Sequence, residues 1–295
     1  MVAQPALSDA LRNRRSWRSV ALSLVWTALF LGLLVAFFSH ERPELSRLIH
    51  LIRRAQTSWL LVAVALEGVI LLAMALVYRS VLARLRHHVP VSLLLSLVLQ
   101  RQAIATVVPA GGAAGSAVLV RDLQKRAVPV ADAVLAAALF SVLGHVSFAI
   151  FLAPVLIMLG MEGRVPGIAW LGAALLGLLV MALLGMLWTL LRPGNPSPWV
   201  ERRLPERLRH DIAALRQHEL RPAELAAALG WSLLVDVLGA VMLFACLRAI
   251  GAPATAAIAA GGYAVGTLFL MLAPVFQGIG IVELSMTVAL QRLGV

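Results

Sequence analysis

Long apolar runs alternate with short polar segments along the whole chain, and the runs have the length of membrane crossings. A hydrocarbon core of about 30 Å takes about 20 helical residues to cross. Five runs meet that requirement: Val20 to Phe38, Trp59 to Tyr78, Val128 to Leu159, Ile168 to Leu191 and Glu224 to Ile250. The third is long enough to tilt or to project from the bilayer. Two further apolar regions, about 91–120 and 253–295, are broken by Pro and Gly. The pattern predicts an all-α polytopic integral membrane bundle with two re-entrant, Pro/Gly-broken segments.

Composition agrees with that reading. Of the 295 residues, 61% are hydrophobic and 13% charged, with a mean hydropathy of +0.92, more apolar surface than a soluble domain can hide. The net charge of +11 would suggest nucleic acid in a soluble protein. Here the arginines sit in short segments between apolar runs, the positive-inside pattern, and no nucleic-acid partner is expected. The basic stretch Arg12, Arg14, Arg15 and Arg18 precedes an apolar run too long for a signal peptide, and no small-residue cleavage site follows it. We read residues 1–19 as a basic cytoplasmic N-terminus and 20–295 as one transmembrane domain of a bacterial-type inner membrane. Cys246 is the single cysteine, so no intrachain disulfide forms.

Charge parity shapes the topology around the first broken region. The segment before it holds Arg79, Arg84, Arg86, His87 and His88, and the segment after it holds Arg121, Lys125 and Arg126. Both should face the cytoplasm, which one crossing cannot satisfy. With Pro109-Ala110-Gly111-Gly112-Ala113-Ala114-Gly115 near the middle, a re-entrant helical hairpin satisfies both. Val128 to Leu159 then exits and Ile168 to Leu191 returns. The basic loop 192–223 follows in the cytoplasm, with Arg202, Arg203, Arg207, Arg209 and Arg216, either as an amphipathic helix on anionic headgroups or as a solvated linker. Glu224 to Ile250 crosses outward, so the second break, Pro274 to Gly280, resembles the first inverted. Inverted-repeat transporters use such pairs of breaks to build a midplane site. Packing glycines and proline kinks in ordinary helices are the alternative.

Ionisable groups within apolar runs are the clearest functional candidates, because each is costly in hydrocarbon unless it faces a cavity or a partner. Glu67, Arg101, Asp236 and Glu283 qualify, with His145. Static ion pairs and a polar cavity both account for them, and the set favours a cavity. An arginine beside glycine-exposed N–H groups suits a lipid phosphate, since its planar fork binds phosphate oxygens in pairs. The acids would balance that charge, accept a cationic headgroup or carry a proton. Arg121 and Asp122 follow the first break and stand either at a cytoplasmic mouth or as an ordinary positive-inside anchor. Ser116 and His145 are the available pair for a serine hydrolase, but they lie in no catalytic motif. The tandem His87-His88 offers no metal-ligand spacing. No metal, cofactor or nucleotide signature is present, and no enzymatic activity is expected.

The stretch Pro109 to Gly115 followed by Arg121-Asp122-Leu123, and the stretch Gly278-Ile279-Gly280-Ile281-Val282-Glu283 followed by Leu290 and Gly294-Val295, resemble the flippase-like transmembrane domain of lysylphosphatidylglycerol synthases. The likeness runs from about Val20 onward. It implies that Gly111, Gly112, Gly115, Gly278 and Gly280 shape re-entrant segments around a lipid-accessible cavity. In bifunctional members a soluble aminoacyltransferase makes the lipid that this domain moves; the present sequence holds no such domain. Gln277 stands where the family commonly has glycine. Family domains usually continue beyond the position of Gly294-Val295, so the sequence reads as a shorter variant or a truncated one.

The expected function is translocation or binding of a phosphate-bearing lipid, with an anionic, aminoacylated, polyprenyl-phosphate or hopanoid-type lipid as partner. Rival expectations are a non-transporting partner of a lipid-modifying enzyme and a small-solute transporter. A homo-oligomer is compatible with each.

Overall fold

The computed structural model of the protein describes residues 54–107, 111–161, 167–191, 225–272 and 281–292. The chain divides at Gln56, and the helices below belong to the unit Gln56–Val295. The first predicted span, the basic loop 192–223 and the second break lie outside the described residues.

Eight helices occur among the described residues: α1 Thr57–Arg84, α2 Val91–Val107, α3 Gly111–Gln124, α4 Val130–Met161, α5 Gly167–Leu191, α6 Ala226–Ala249, α7 Ala256–Leu272 and α8 Ile281–Arg292. Of these, α1, α4 and α6 are each long and apolar enough to cross a membrane. They are three of the five runs marked by length, and α5 coincides with a fourth. Leu61, Val64, Leu171, Leu178 and Met181 lie on outer faces, each more than half exposed. Surfaces of that kind suit lipid tails and would be a liability in water. The protein is a multi-pass helical membrane bundle.

Helix ends are set by local chemistry. After Leu85, Arg86 adopts φ 63°, the Arg86 N–H donates to the Ala83 carbonyl and the His87 N–H to that of Leu82. This pair of bonds is a Schellman turn. The same pattern recurs at Ala127 (φ 62°) and Gly251 (φ 75°), with Val128 bonding back to Leu123 and Ala252 to Leu247. The first of these turns places His87 so that its Nε2 lies 2.6 Å from Asp132 Oδ2 at the start of α4.

The long helices α1, α4 and α6 pack on one another at the centre. The Gln56 N–H donates to the Ala249 carbonyl at 2.9 Å, so α1 begins where α6 ends and the two run antiparallel. The helices α2 and α3 pack against each other and against α1 and α4. Leu94 near the start of α2 and Leu123 at the end of α3 join Leu82, Leu85 and Val128 in one buried cluster. This hairpin therefore leaves and rejoins the same end of the bundle. Its arms, 17 and 14 residues long, rise about 25 Å and 21 Å at 1.5 Å per residue, short of a full crossing. The pair α7 and α8 packs in the same way from the other end: Leu247 of α6, Ala259 near the start of α7 and Leu290 near the end of α8 meet in a second cluster.

Candidate functional site

Two polar clusters lie on one face of α4, at Phe140 and at Ser147. These positions are seven residues apart, two helical turns or about 10 Å along the axis. Gly144 lies between them, and a Cβ added there would meet no atom within 4 Å.

The first cluster centres on Arg101 of α2. Its guanidinium carbon sits 5.0 Å from the centroid of the Phe140 ring, a cation–π contact. Tyr78 of α1 stacks on Phe140 with ring centroids 4.3 Å apart and planes 4° from parallel. Arg101 Nη1 reaches Gln102 Oε1 at 3.5 Å, the outer limit of a hydrogen bond. Arg101 Nε and the Tyr78 hydroxyl are buried with no hydrogen-bond partner, and Tyr78 as a whole has 0% of its surface exposed. Gly115 of α3 is what lets the hairpin close here, because a Cβ at that position would fall 2.6 Å from the Arg101 carbonyl oxygen. Gly112 faces open space. Gly111 begins α3, and its side-chain position lies outside the described residues.

The second cluster joins three helices. Asp236, near the middle of α6 and 5% exposed, accepts from Ser147 of α4 at 2.7 Å and from the Tyr263 hydroxyl of α7 at 3.2 Å. Ser147 and Ser232 oxygens lie 3.1 Å apart. Phe151 meets the Tyr263 ring edge-to-face at 5.6 Å. Gly239, one turn along α6 from Asp236, makes room for the same ring: any side chain there would collide with it.

The other predicted residues are dispersed. Glu67 is exposed on α1 and belongs to neither cluster. Asp122 bonds Lys125, and that hydrogen bond holds its carboxyl below the ordinary aspartate range. Arg121 borders an open groove of about 510 Å³ between α3 and α4, together with Ser116, Ala117, Val120, Val134 and Ala137. Ser116 donates to the Gly112 carbonyl and the His145 ring bonds that of Ser141, each within its own helix, so they do not pair with each other. Glu283 falls in α8, its side chain outside the described residues, and Gly278 and Gly280 lie outside them altogether.

Charge alone singled out Arg101 and Asp236, and it missed Tyr78, Phe140, Ser147, Ser232 and Tyr263. A usable signal was present. The chain has two tyrosines, and one stands in each cluster.

Across residues 11–295 the chain matches the family model described as the lysylphosphatidylglycerol synthase TM region. No curated protein and no solved structure matches it significantly.

Proposed function

Because the chain belongs to the family of lysylphosphatidylglycerol synthase transmembrane regions, we propose that it takes the phosphate of a membrane lipid headgroup into its helical bundle and carries it between leaflets. The observation behind this reading is the pair of unpartnered polar atoms at Arg101 and Tyr78. A buried donor without an acceptor costs about 1–3 kcal/mol. A phosphate offers acceptor oxygens of the kind these donors lack, and the guanidinium supplies the countercharge. Phe140 holds the ring of one and the cation of the other, so the donors are already oriented before a lipid arrives.

The groove beside Arg121 supports the same reading, since its largely apolar walls suit an acyl chain and its arginine suits a headgroup. In this reading the headgroup passes through the polar interior while the tails stay in the bilayer.

The deciding experiment is native mass spectrometry of protein extracted in mild detergent, paired with movement of a labelled phospholipid in reconstituted vesicles. Arg101→Ala should reduce retained phosphate-bearing lipid about tenfold or more, equivalent to about 1.4 kcal/mol, and slow movement in parallel. Retention and movement at the parent's level would remove Arg101 from the site. Lipid retained by the parent but never moved would instead support a lipid-binding partner of another membrane enzyme.

A further inference from the structure

The cluster around Asp236 shares no residue with that of Arg101 and Tyr78, and its hydrogen bonds cannot all be made at once. Ser147 Oγ lies 2.7 Å from Asp236 Oδ2, 3.1 Å from Ser232 Oγ and 3.0 Å from the Gly144 carbonyl oxygen. A serine hydroxyl has one proton to donate and two lone pairs to accept with. The cluster therefore has two complete arrangements. With Asp236 ionised, Ser147 donates to Oδ2, Ser232 donates to Ser147, and Tyr263 donates to Oδ1. With a proton on Oδ2, Asp236 donates it to Ser147 Oγ, and the Ser147 hydroxyl turns to the Gly144 carbonyl. Ser232 and Tyr263 keep their bonds. Each arrangement leaves the hydroxyls and the carboxyl partnered, and they differ by one proton on Oδ2.

From this geometry we propose that Asp236 is an exchangeable proton-binding site in the core of the bundle. A carboxylate fixed in its ionised form inside a membrane protein calls for a cation. Among the described residues none is ion-paired with it: the recorded pairs are His87 with Asp132 and Lys125 with Asp122.

The charged and titratable groups on the helices packed against α6 are few. On α7 there is Tyr263, the donor to Oδ1. On α4 there are Asp132, fifteen residues before Ser147 in sequence and ion-paired with His87, and His145, whose ring bonds Ser141. On α1 there are the exposed Glu67, Tyr78, and Arg79 and Arg84 toward the cytoplasmic end predicted from charge. On α6 itself Arg248 lies over Phe244, twelve residues from Asp236, and the exposed thiol of Cys246 is ten residues away. The Ser147 hydroxyl is thus the partner that changes with protonation. Gain of a proton reverses the hydrogen bond between α6 and α4, while the Tyr263 hydroxyl of α7 keeps its bond to Oδ1, now a neutral carbonyl oxygen rather than a carboxylate. On the lipid-transport reading above, this proton is the ion linked to headgroup movement.

Infrared difference spectroscopy of the full chain in lipid nanodiscs, titrated across neutral pH, tests the site without requiring any lipid movement. The parent should show a carboxylic C=O band that grows with acid, with the same curve in sodium and potassium buffers. Asp236→Asn should lose it. Tyr263→Phe should keep it at higher frequency, because the carbonyl oxygen Oδ1 loses its donor. The proposal is overturned if no band titrates, if the band survives in Asp236→Asn, or if sodium displaces the curve, which would make the cluster a metal-ion site. Should Asp236→Asn fail to fold, an unshifted band in Tyr263→Phe assigns the signal to another carboxyl and overturns the proposal equally. A titrating Asp236 in a protein that moves no lipid would sink the transport reading and leave the proton site standing.

Discussion

A phenol oxygen buried without a partner costs about 1–3 kcal/mol, so Tyr78 distinguishes an occupied site from a merely packed one. Tyr78→Phe keeps the stack on Phe140 and removes the unpaired hydroxyl. In delipidated detergent the variant should melt at the parent's temperature or higher, while lipid retained in native mass spectra falls several-fold. Equal retention would show that the hydroxyl touches no headgroup. Arg101→Lys should rescue Arg101→Ala only in part, because an ammonium is a point charge that lacks the planar fork and stacks less well on Phe140; full rescue in the vesicle assay would reduce the role to charge alone. At this scale the sequence revealed charges in hydrocarbon and little else. Arg101 and Asp236 were legible because ionisable groups are rare there, yet the same criterion selected Glu67, which is exposed on α1. Ser147 and Ser232 were not legible. A serine within an apolar helix looks the same whether it bonds its own backbone or a buried carboxylate two helices away.

Two glycines in one break have opposite consequences. A methyl group at Gly115 would press on the backbone oxygen of Arg101, which has no rotamer with which to yield, so Gly115→Ala should cost about 1–3 kcal/mol and spread α2 from α3 at the proposed phosphate site. Gly112→Ala meets open space and should gain up to about 1 kcal/mol from helix propensity. Thermal melts of the two in the same detergent check the contrast, and similar shifts would mean that the hairpin is not tightly closed at Arg101. The turns that end α1 and α3 allow a complementary test. Arg86 and Ala127 hold left-handed φ without being glycine, at a cost of about 1–2 kcal/mol each, whereas the matching turn after α6 uses Gly251. Ala127→Gly should therefore raise the melting temperature, and a fall would place the strain elsewhere. The break itself was readable from Pro109 and its glycines. Which glycine carries the close approach was not, because that depends on where the neighbouring helix lies.

At the scale of the whole molecule, the ends of the elements are what charge parity could anticipate. A topology in which Trp59 to Tyr78 runs inward and Glu224 to Ile250 outward requires Gln56 and Ala249 to share a face, and the hydrogen bond between them places the two ends together. The buried cluster of Leu85, Leu94, Leu123 and Val128 likewise brings both flanks of the first break to one end. Parity could not supply the packing: no charge pattern says that α4 would carry both polar clusters, with Phe140, Gly144, Ser147 and Phe151 along one face. The topology nevertheless makes a strict prediction about the membrane. In a Cys246→Ser background, a cysteine at Lys125 should react with an impermeant thiol reagent only from the cytoplasmic side, and one at Ala252 only from the opposite side. Lys125 lies in the turn that ends α3 and Ala252 follows the turn that ends α6, so both are outside the helices. Labelling of the two from the same side would mean that α6 does not cross outward, and the second hairpin would then enter from the same face as the first. The inverted relation between the hairpins would be lost, and with it the expectation of a midplane site built by two breaks that enter from opposite faces.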